Sequence, residues 1–373
     1  MAPQIHLHFL VLLLIVTIFG CCSVLVQSQV PQNQTFRLIN QGEYLDKTGE
    51  YGSTFRMPKP YEVSIPYLVR YTFGLYFYNS TGNAYVLGIG GGHNLRGSLQ
   101  WVWDANRNHP VQENATLTFG TDGNLVLADV DGSIVWQTNT ANRGVTGISM
   151  QTNGNLVLYN KRGKFIWQSF HHPTDTLAVG QSLTLKGTTK LVSRTSNRSS
   201  HDGPYSIMID DRKGFVMYQN ASSGEPVQYA GWEAKGLSNV TFHSIQRIDP
   251  VQPPAGPRLN IIGKTFYFLS LGFAEGKQAS TPSRRVVLKI NHNSDSEYYP
   301  FLRLESNGNL VVYSYIVPAA NPYSAYWSKA YAFFGDTARE CALQSKCGSS
   351  GKCYKRLCSG CPRNGSLGCT IAS

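Results

Sequence analysis

The chain lacks several features that would point to catalysis or to a membrane. Asp and Glu number only 22 against 33 Lys and Arg, and charged residues make up 15% of the 373 residues. No Gly-x-Ser-x-Gly elbow occurs, the glycine-rich stretch at 88–94 lacks the lysine of a phosphate loop, and the histidines show no zinc-ligand spacing. After residue 28 no apolar run reaches membrane-spanning length. We therefore predict a protein that is not an enzyme, needs no cofactor or metal, and has no membrane span.

Charged residues are missing altogether from the first 28 positions. The apolar run at 9–19 is short for a membrane helix, and Val26-x-Ser28 before Gln29 is typical of a small-residue cleavage site. We predict a secretory signal peptide at 1–28, with an uncleaved anchor as the alternative. A secreted chain can be glycosylated at Asn-x-Ser/Thr sequons. They occur at Asn33, Asn79, Asn114, Asn197, Asn220, Asn239 and Asn364.

Cysteine is absent from positions 23 to 340 and crowded after them. An even number of cysteines in a secreted tail predicts a small disulfide-stapled module, which we place at 336–370 as an EGF-like unit. Six cysteines allow about 15 pairings, so the connectivity stays open. A Cys-x-x-Cys spacing also suits zinc, but the extracellular address and the lack of nearby His favour disulfides. The residues are Cys341, Cys347, Cys353, Cys358, Cys361 and Cys369.

The clearest pattern is a phrase that occurs twice, 31 residues apart. GTDGNLVLADVDGSIVWQT begins at Gly120 and QTNGNLVLYNKRGKFIWQS begins at Gln151, and 12 residues separate Asn from Trp in both. Two apolar runs around a polar turn predict a β-hairpin in each copy. Many short alternating runs without helical periodicity surround them, which predicts an all-β fold.

One face of the second copy should carry a polar row, because successive side chains of a strand point to opposite faces. If Leu156 and Leu158 enter a core, the other face presents three amides, a valine and a phenol, which suit a polyol with one apolar patch. The alternative is an ordinary half-solvated sheet with Asn-Gly turns. The row consists of Gln151, Asn153, Asn155, Val157 and Tyr159.

This row resembles the sugar site of the bulb-type (snowdrop-like) mannose-binding lectins, which reads Gln-x-Asp-x-Asn-x-Val-x-Tyr. The resemblance implies β-prism II domains of three four-stranded sheets, with Trp103, Trp136 and Trp167 as one core residue per sheet. The second copy departs from the family pattern at Asn153, where the family has Asp. Weaker matches are Asp122, Asn124 and Val126 in the first copy and Glu305, Asn307, Asn309, Val311 and Tyr313 in a later stretch.

The resemblance also implies a role for each position. In the family the Asp and Asn hold the axial hydroxyl of mannose, the Gln and Tyr hold neighbouring hydroxyls, and the Val contacts ring carbons. Loss of the carboxylate at Asn153 removes a charge-assisted hydrogen bond of about 1.5 to 3 kcal/mol and leaves about half of that. We therefore expect mannose affinity to fall by about tenfold per site.

Phrases at 101–111, 167–183 and 340–353 resemble plant S-locus glycoproteins and the epidermis-specific secreted glycoproteins and curculin-like lectins. The resemblance implies tandem β-prism II domains with a small disulfide-rich C-terminal module. We place a bulb-type lectin domain at 44–168, a linker at 169–200 and a diverged second lectin domain at 201–330, and we expect no PAN module.

These observations predict a secreted plant glycoprotein that binds mannose-type glycans weakly in the cell wall or apoplast. The alternative is a structural or protein-recognition wall glycoprotein that has lost the sugar. The net charge of +11 also favours acidic wall polysaccharides as partners. No nucleic-acid motif is present, and the sequence allows a homodimer.

Overall fold

A computed structural model gives the fold of the chain. It describes residues 30–42, 49–57, 69–70, 73–79, 82–92, 99–196, 198–220, 224–249, 262–273, 284–292, 296–318, 321, 324–335, 343, 352–354 and 357–359. The predicted signal peptide lies outside these residues, as do Asn197, Asn364, Cys341, Cys347, Cys361 and Cys369.

Short β-strands account for the regular structure of the described residues, in which no α-helix occurs. The first group is β1 Phe36–Ile39, β2 Thr54–Arg56, β3 Val69–Arg70, β4 Phe73–Asn79, β5 Val86–Gly91, β6 Gln100–Asp104, β7 Thr116–Phe119, β8 Leu125–Ala128, β9 Ile134–Gln137, β10 Val145–Met150, β11 Leu156–Asn160 and β12 Phe165–Gln168. The second group is β13 Thr176–Ala178, β14 Ser182–Thr184, β15 Lys190–Ser196, β16 Ser199–Asp210, β17 Gly214–Gln219, β18 Val227–Glu233, β19 Leu237–Asp249, β20 Ile262–Phe273, β21 Arg284–His292, β22 Ser296–Leu304, β23 Leu310–Pro318 and β24 Tyr326–Ala332. A hairpin of β25 Lys352–Tyr354 and β26 Leu357–Ser359 follows, and single 3₁₀ turns lie at Gln32–Gln34, Glu50–Gly52 and Ser169–His171.

Each group forms three antiparallel sheets. The first group has the orders β1-β7-β8-β9, β10-β11-β12 and β2-β4-β5-β6, with β3 beside β4. The second has β13-β22-β23-β24, β14-β19-β20-β21 and β15-β16-β17-β18. The all-β prediction is therefore confirmed. Three sheets per group is the number that a tandem of prisms would have, and the division into two lectin domains stays a prediction.

The stretch at 169–200, which the sequence analysis assigned to a linker, contains three strands. β13, β14 and β15 are the first strands of the three sheets of the second group, and they pair with β22, β19 and β16. Strands of three residues such as β13 and β14 are too short to show alternation, so the sequence did not reveal them. β1 likewise precedes residue 44 and pairs with β7.

Three tryptophans from three sheets meet edge to face in the first core. Ring centroids lie 5.8 Å apart for Trp103 and Trp136, 6.1 Å for Trp103 and Trp167, and 5.7 Å for Trp136 and Trp167. This is one core tryptophan per sheet, as the family resemblance implies. Two strands of the second group also reach this core, through Phe301 of β22 and Val311 of β23. The two groups of sheets therefore pack against each other.

Candidate functional site

The two copies of the phrase and the later stretch at 305–313, which we call the third copy, begin with the same turn. The glycine N–H donates to the carbonyl oxygen three residues earlier, at 3.0 Å for Gly123, 3.0 Å for Gly154 and 2.9 Å for Gly308. These glycines have φ of 78°, 84° and 84°, a region that a side chain with a Cβ disfavours. The turn is a hairpin loop closed by a glycine bulge. The glycine of the turn is therefore needed for folding in every copy, whether or not a sugar binds there.

The central asparagine of the second copy is a buried clamp. Asn155 is 5% exposed, and its Oδ1 accepts hydrogen bonds from Ser169 Oγ and from the Phe170 N–H, both at 3.2 Å. Its Nδ2 donates to Gln168 Oε1 at 2.8 Å. The amide thus ties the start of β11 to the residues that follow β12. This contact explains why a fixed number of residues separates Asn from Trp in the phrase.

The first copy repeats this clamp. Asn124 Oδ1 accepts from Thr138 Oγ1 at 3.0 Å and from the Thr140 N–H at 3.1 Å, while Nδ2 donates to Gln137 Oε1 at 2.8 Å. Alternation along the strands did not identify Gln137 and Gln168 as partners of the asparagines. The signal that could have found them is the Gln followed by Thr or Ser directly after each repeated Trp.

The outer ends of the second row remain open. Gln151 and Tyr159 are both half-buried, and neither side chain has a hydrogen-bond partner among the described residues. Val157, which the resemblance assigns to the sugar's ring carbons, is completely buried at 0% exposure. A sugar at this row would therefore meet the amide and the phenol, whereas the valine is covered.

Asn153 has a specific reason to be an amide. Its Nδ2 donates to the Val179 carbonyl oxygen at 3.3 Å, and its Oδ1 accepts from the Asn155 N–H at 3.3 Å. An aspartate would place a negative oxygen beside that carbonyl, which is repulsive. The departure from the family pattern at this position thus follows from the chain that crosses it. A cavity of about 260 Å³ lies next to Asn153, bounded by the rings of Phe73 and Tyr299.

The first copy keeps the family's carboxylate but loses its ends. Asp122 is half-buried and its Oδ1 accepts from the Asn124 N–H at 3.0 Å, while Val126 is half-buried as well. Gly120 and Ala128 supply no polar side chain where the family has Gln and Tyr. The structure thus brings Asp122, Asn124 and Val126 together without the outer contacts of a complete row.

The third copy faces the first group of sheets instead of solvent. Val311 is 3% exposed and Tyr313 8% exposed, and both belong to the first core. Tyr313 is hydrogen bonded to Glu305, and burial raises the pKa of the Glu305 carboxyl. Asn307 is exposed and Asn309 half-buried, and Asn309 Oδ1 accepts from the Phe334 N–H at 3.1 Å. This copy therefore keeps the turn and uses its outer face for packing.

Buried ion pairs hold the third copy and its neighbours to the first group. Arg303, at the end of β22, binds Glu50 of the first group. Arg194 binds Asp104 across the same boundary at 2.9 Å and Asp175 at 2.8 Å. Burial alone would raise the pKa of Asp175, but the guanidinium groups of Arg194 and Arg107 hold it well below its usual range. These contacts fix the orientation of the two groups.

The remaining predicted sites differ in accessibility. Asn33, Asn114 and Asn220 are exposed. The side chain of Asn79 is half-buried and bonded to Thr54 and Gly82, and half-buried Asn239 donates to Ser238. Cys353 and Cys358 lie opposite each other in the β25–β26 hairpin. Use of the sequons and the disulfide pairing stay predictions.

The chain is similar to known lectins and plant glycoproteins. A family model described as D-mannose binding lectin matches residues 100–199, which contain the first two copies of the phrase. The chain therefore carries a lectin domain of the bulb type. Within the part of the chain that the structure describes, no helix is long and apolar enough to span a membrane.

Several plant proteins are similar to this chain over most of its length. EP1-like glycoprotein 2 of Arabidopsis thaliana is 42% identical over 95% of this chain and 77% of its own length. The epidermis-specific secreted glycoprotein EP1 of Daucus carota is 38% identical over 97% of this chain and 90% of its own length. A G-type lectin S-receptor-like serine/threonine-protein kinase of Arabidopsis thaliana is 30% identical over 71% of this chain but only 28% of the kinase. The chain belongs to the EP1-like glycoprotein family of plants. The names of the EP1-like relatives describe glycoproteins and not enzymes.

Proposed function

We propose that this protein is a secreted, glycosylated lectin of the plant wall or apoplast that binds mannose-type glycans weakly through the second copy of the phrase. One observation carries the proposal: Gln151 and Tyr159 present an unused amide and an unused hydroxyl on the face that also carries Asn155. The name of the Daucus carota relative includes the word secreted, which supports the location.

The binding contacts follow from what each side chain has left to offer. An amide nitrogen carries two N–H groups, and Asn155 uses one of them for Gln168. The other N–H, with Gln151 and Tyr159, can hold three hydroxyls of one pyranose. Covered Val157 and uncharged Asn153 explain why affinity per site is low. Useful retention then depends on several glycan contacts acting together.

Retention on immobilised mannan tests the proposal. Tyr159→Phe and Gln151→Ala should each shorten retention, because each removes a group that bonds only to ligand. Tyr313→Phe is the matched control, since it makes the same change in the third copy, where the face is buried. Equal retention of the Tyr159→Phe variant and the parent protein would rule out mannose binding at this row.

The third copy favours a second candidate function, that of a structural or protein-recognition wall glycoprotein. Its outer face is buried against the first group of sheets, which shows that this chain can use the phrase for packing. A structural or protein-recognition wall glycoprotein would use its other surfaces in the same way. Salt, and not free mannose, should then release the protein from wall material, because salt screens exposed charge contacts. Release by mannose at constant salt contradicts this second function.

A further inference from the structure

A cleft of about 640 Å³ opens where the three core tryptophans meet the residues that begin the second group of sheets. Trp103, Trp136 and Trp167 line it from one side, and Thr189 and Lys190 line it from the other. No residue of the three repeat rows lines this cleft. Its volume is in the range of small-ligand sites, about 300 to 1,000 Å³. It is therefore a separate candidate site.

The tryptophans offer hydrogen-bond donors as well as apolar surface. Trp103 Nε1 donates to the His172 carbonyl oxygen at 2.7 Å. The indole N–H groups of Trp136 and Trp167 have no such partner among the described residues. Aromatic rings of this kind pack against the C–H face of a sugar ring, and their N–H groups favour an acceptor. The ligand should therefore combine an apolar face with several oxygens.

Arg107 lines the cleft and is already ion-paired within the protein. The residue is 6% exposed, and its Nη2 is buried without a hydrogen-bond partner. Asp202 Oδ1 lies 3.4 Å from its Nε, and Asp175 Oδ2 lies 3.9 Å from its Nη2. Because Nη2 has no surface that a ligand could contact, Arg107 adds positive charge behind the wall of the cleft and no direct contact.

The charges around the cleft also favour an anionic ligand. Lys190 is exposed at the rim. The carboxylate of Asp104 is fully buried and bound by Arg194. Asp202 is engaged as well, since its Oδ1 lies 3.4 Å from Arg107 Nε and Asn108 Nδ2 donates to its Oδ2 at 2.9 Å. The net charge of +11 attracts polyanions to the protein as a whole.

We propose that this cleft binds a uronate unit of an acidic polysaccharide. The sugar ring packs against Trp136, the indole N–H groups of Trp136 and Trp167 face its oxygens, and Lys190 at the rim binds its carboxylate. This site goes beyond the proposed function, because it uses other residues and another sugar. Failure at one site is therefore distinguishable from failure at the other.

Calorimetric titration of the full glycoprotein with tri-galacturonate, and with the methyl ester of the same trimer, tests the site. The ester keeps the rings and removes the charge, so it should bind at least about tenfold more weakly, as loss of a charge-assisted hydrogen bond implies. The acid should also quench tryptophan fluorescence. Equal affinities for acid and ester, or no binding of either, would overturn the proposal.

Matched variants locate the binding. Trp136→Phe keeps an aromatic ring and removes the N–H, and it should weaken trimer binding by about fivefold. Trp232→Phe is the same change in the second group, outside the cleft, and should have no effect. Lys190→Gln, a surface change that leaves the fold intact, should weaken binding by about threefold, whereas exposed Lys235→Gln should not.

Mannan retention serves as the internal reference for both variants. It should be unchanged in Trp136→Phe and Lys190→Gln, because neither residue belongs to the row that runs from Gln151 to Tyr159. Unchanged trimer affinity in Lys190→Gln, or equal losses in Lys190→Gln and Lys235→Gln, would contradict the placement of the uronate in this cleft.

Discussion

The second and third copies of the phrase share one turn and differ in what lies over it. Around Asn155 the row ends in Gln151 and Tyr159, which are half-buried and have no hydrogen-bond partner among the described residues. In the third copy Val311 and Tyr313 are packed into the core of the first group of sheets. The same local sequence thus gives an open row in one place and an interface in the other.

The local fold of each copy is determined by the phrase itself, whereas access for a ligand is determined by the residues around it. The glycine turn and the buried asparagine bonds belong to the phrase itself, since they recur in the copies. Access for a ligand depends on distant residues such as Arg303 and Glu50, which bring the third copy against the first group. Four substitutions test this contrast.

Arg194→Ala should weaken the packing of the second group of sheets against the first. It leaves the carboxylates of Asp104 and Asp175 buried without their guanidinium partner, which costs about 3 to 5 kcal/mol in the free energy of unfolding. Urea unfolding followed by tryptophan fluorescence measures the loss. Exposed Arg162→Ala is the control and should change stability by less than about 0.5 kcal/mol. A loss below 1 kcal/mol in Arg194→Ala would show that the pair does not hold the two groups together.

Tyr313→Phe and Tyr159→Phe should have opposite consequences. In the third copy the change removes the bond to buried Glu305 and should cost about 1 to 3 kcal/mol in unfolding free energy, with no effect on mannan retention. In the second copy it should leave stability within about 0.5 kcal/mol and shorten retention. Thermal melts and mannan chromatography on the same two proteins test the contrast. Similar melting temperatures for the two variants would contradict it.

Asn153→Asp should fail to restore the family's site. The new carboxylate faces the Val179 carbonyl oxygen, so we expect a loss of about 1 kcal/mol in unfolding free energy and no gain in mannose affinity. Asn307→Asp, at an exposed position of the third copy, should change stability by less than about 0.5 kcal/mol. A rise in mannose affinity in Asn153→Asp would show that the charge, and not the crossing chain, limits binding.

Glu305→Gln should produce the smallest change, and one that depends on pH. Burial raises the pKa of Glu305, so as pH rises above the ordinary carboxyl range the unfolded chain loses a proton that the folded protein keeps. Stability therefore falls with rising pH through this window. The variant lacks this loss, and its melting temperature should match the parent near about pH 4 and exceed it at about pH 7. A constant difference across this range would contradict the assignment.

Much of the fold could be predicted from the sequence because it depends on local signals. Alternation around Leu156 and Leu158 places both in the first core, and the three tryptophans meet there as the resemblance implies. The strands at 176–184 escaped prediction because three residues show no period. Their pairing with β22 and β19, from about residue 237 onward, is a tertiary contact with no local signal.

The candidate site was less predictable for a related reason. The phrase identifies which residues share a face, but it does not say what covers that face. Tyr313 packs into the core of the first group of sheets, far away in sequence, and the Val179 carbonyl oxygen that Asn153 binds lies 26 residues further along the chain. Alternation alone therefore placed all three rows on open faces, and the structure leaves only part of them accessible.

The asparagine clamp has a consequence for recognising sugar binders by their sequences. Asn124 and Asn155 close the hairpin through Gln137 and Gln168, so a copy that loses its ligand must still keep its asparagine in order to fold. The asparagine thus indicates that the hairpin is present and does not indicate whether a sugar binds. The positions that indicate carbohydrate binding are the two ends of the row. The side chains of Gln151 and Tyr159 make no hydrogen bonds within the hairpin, so a copy that loses them can still fold.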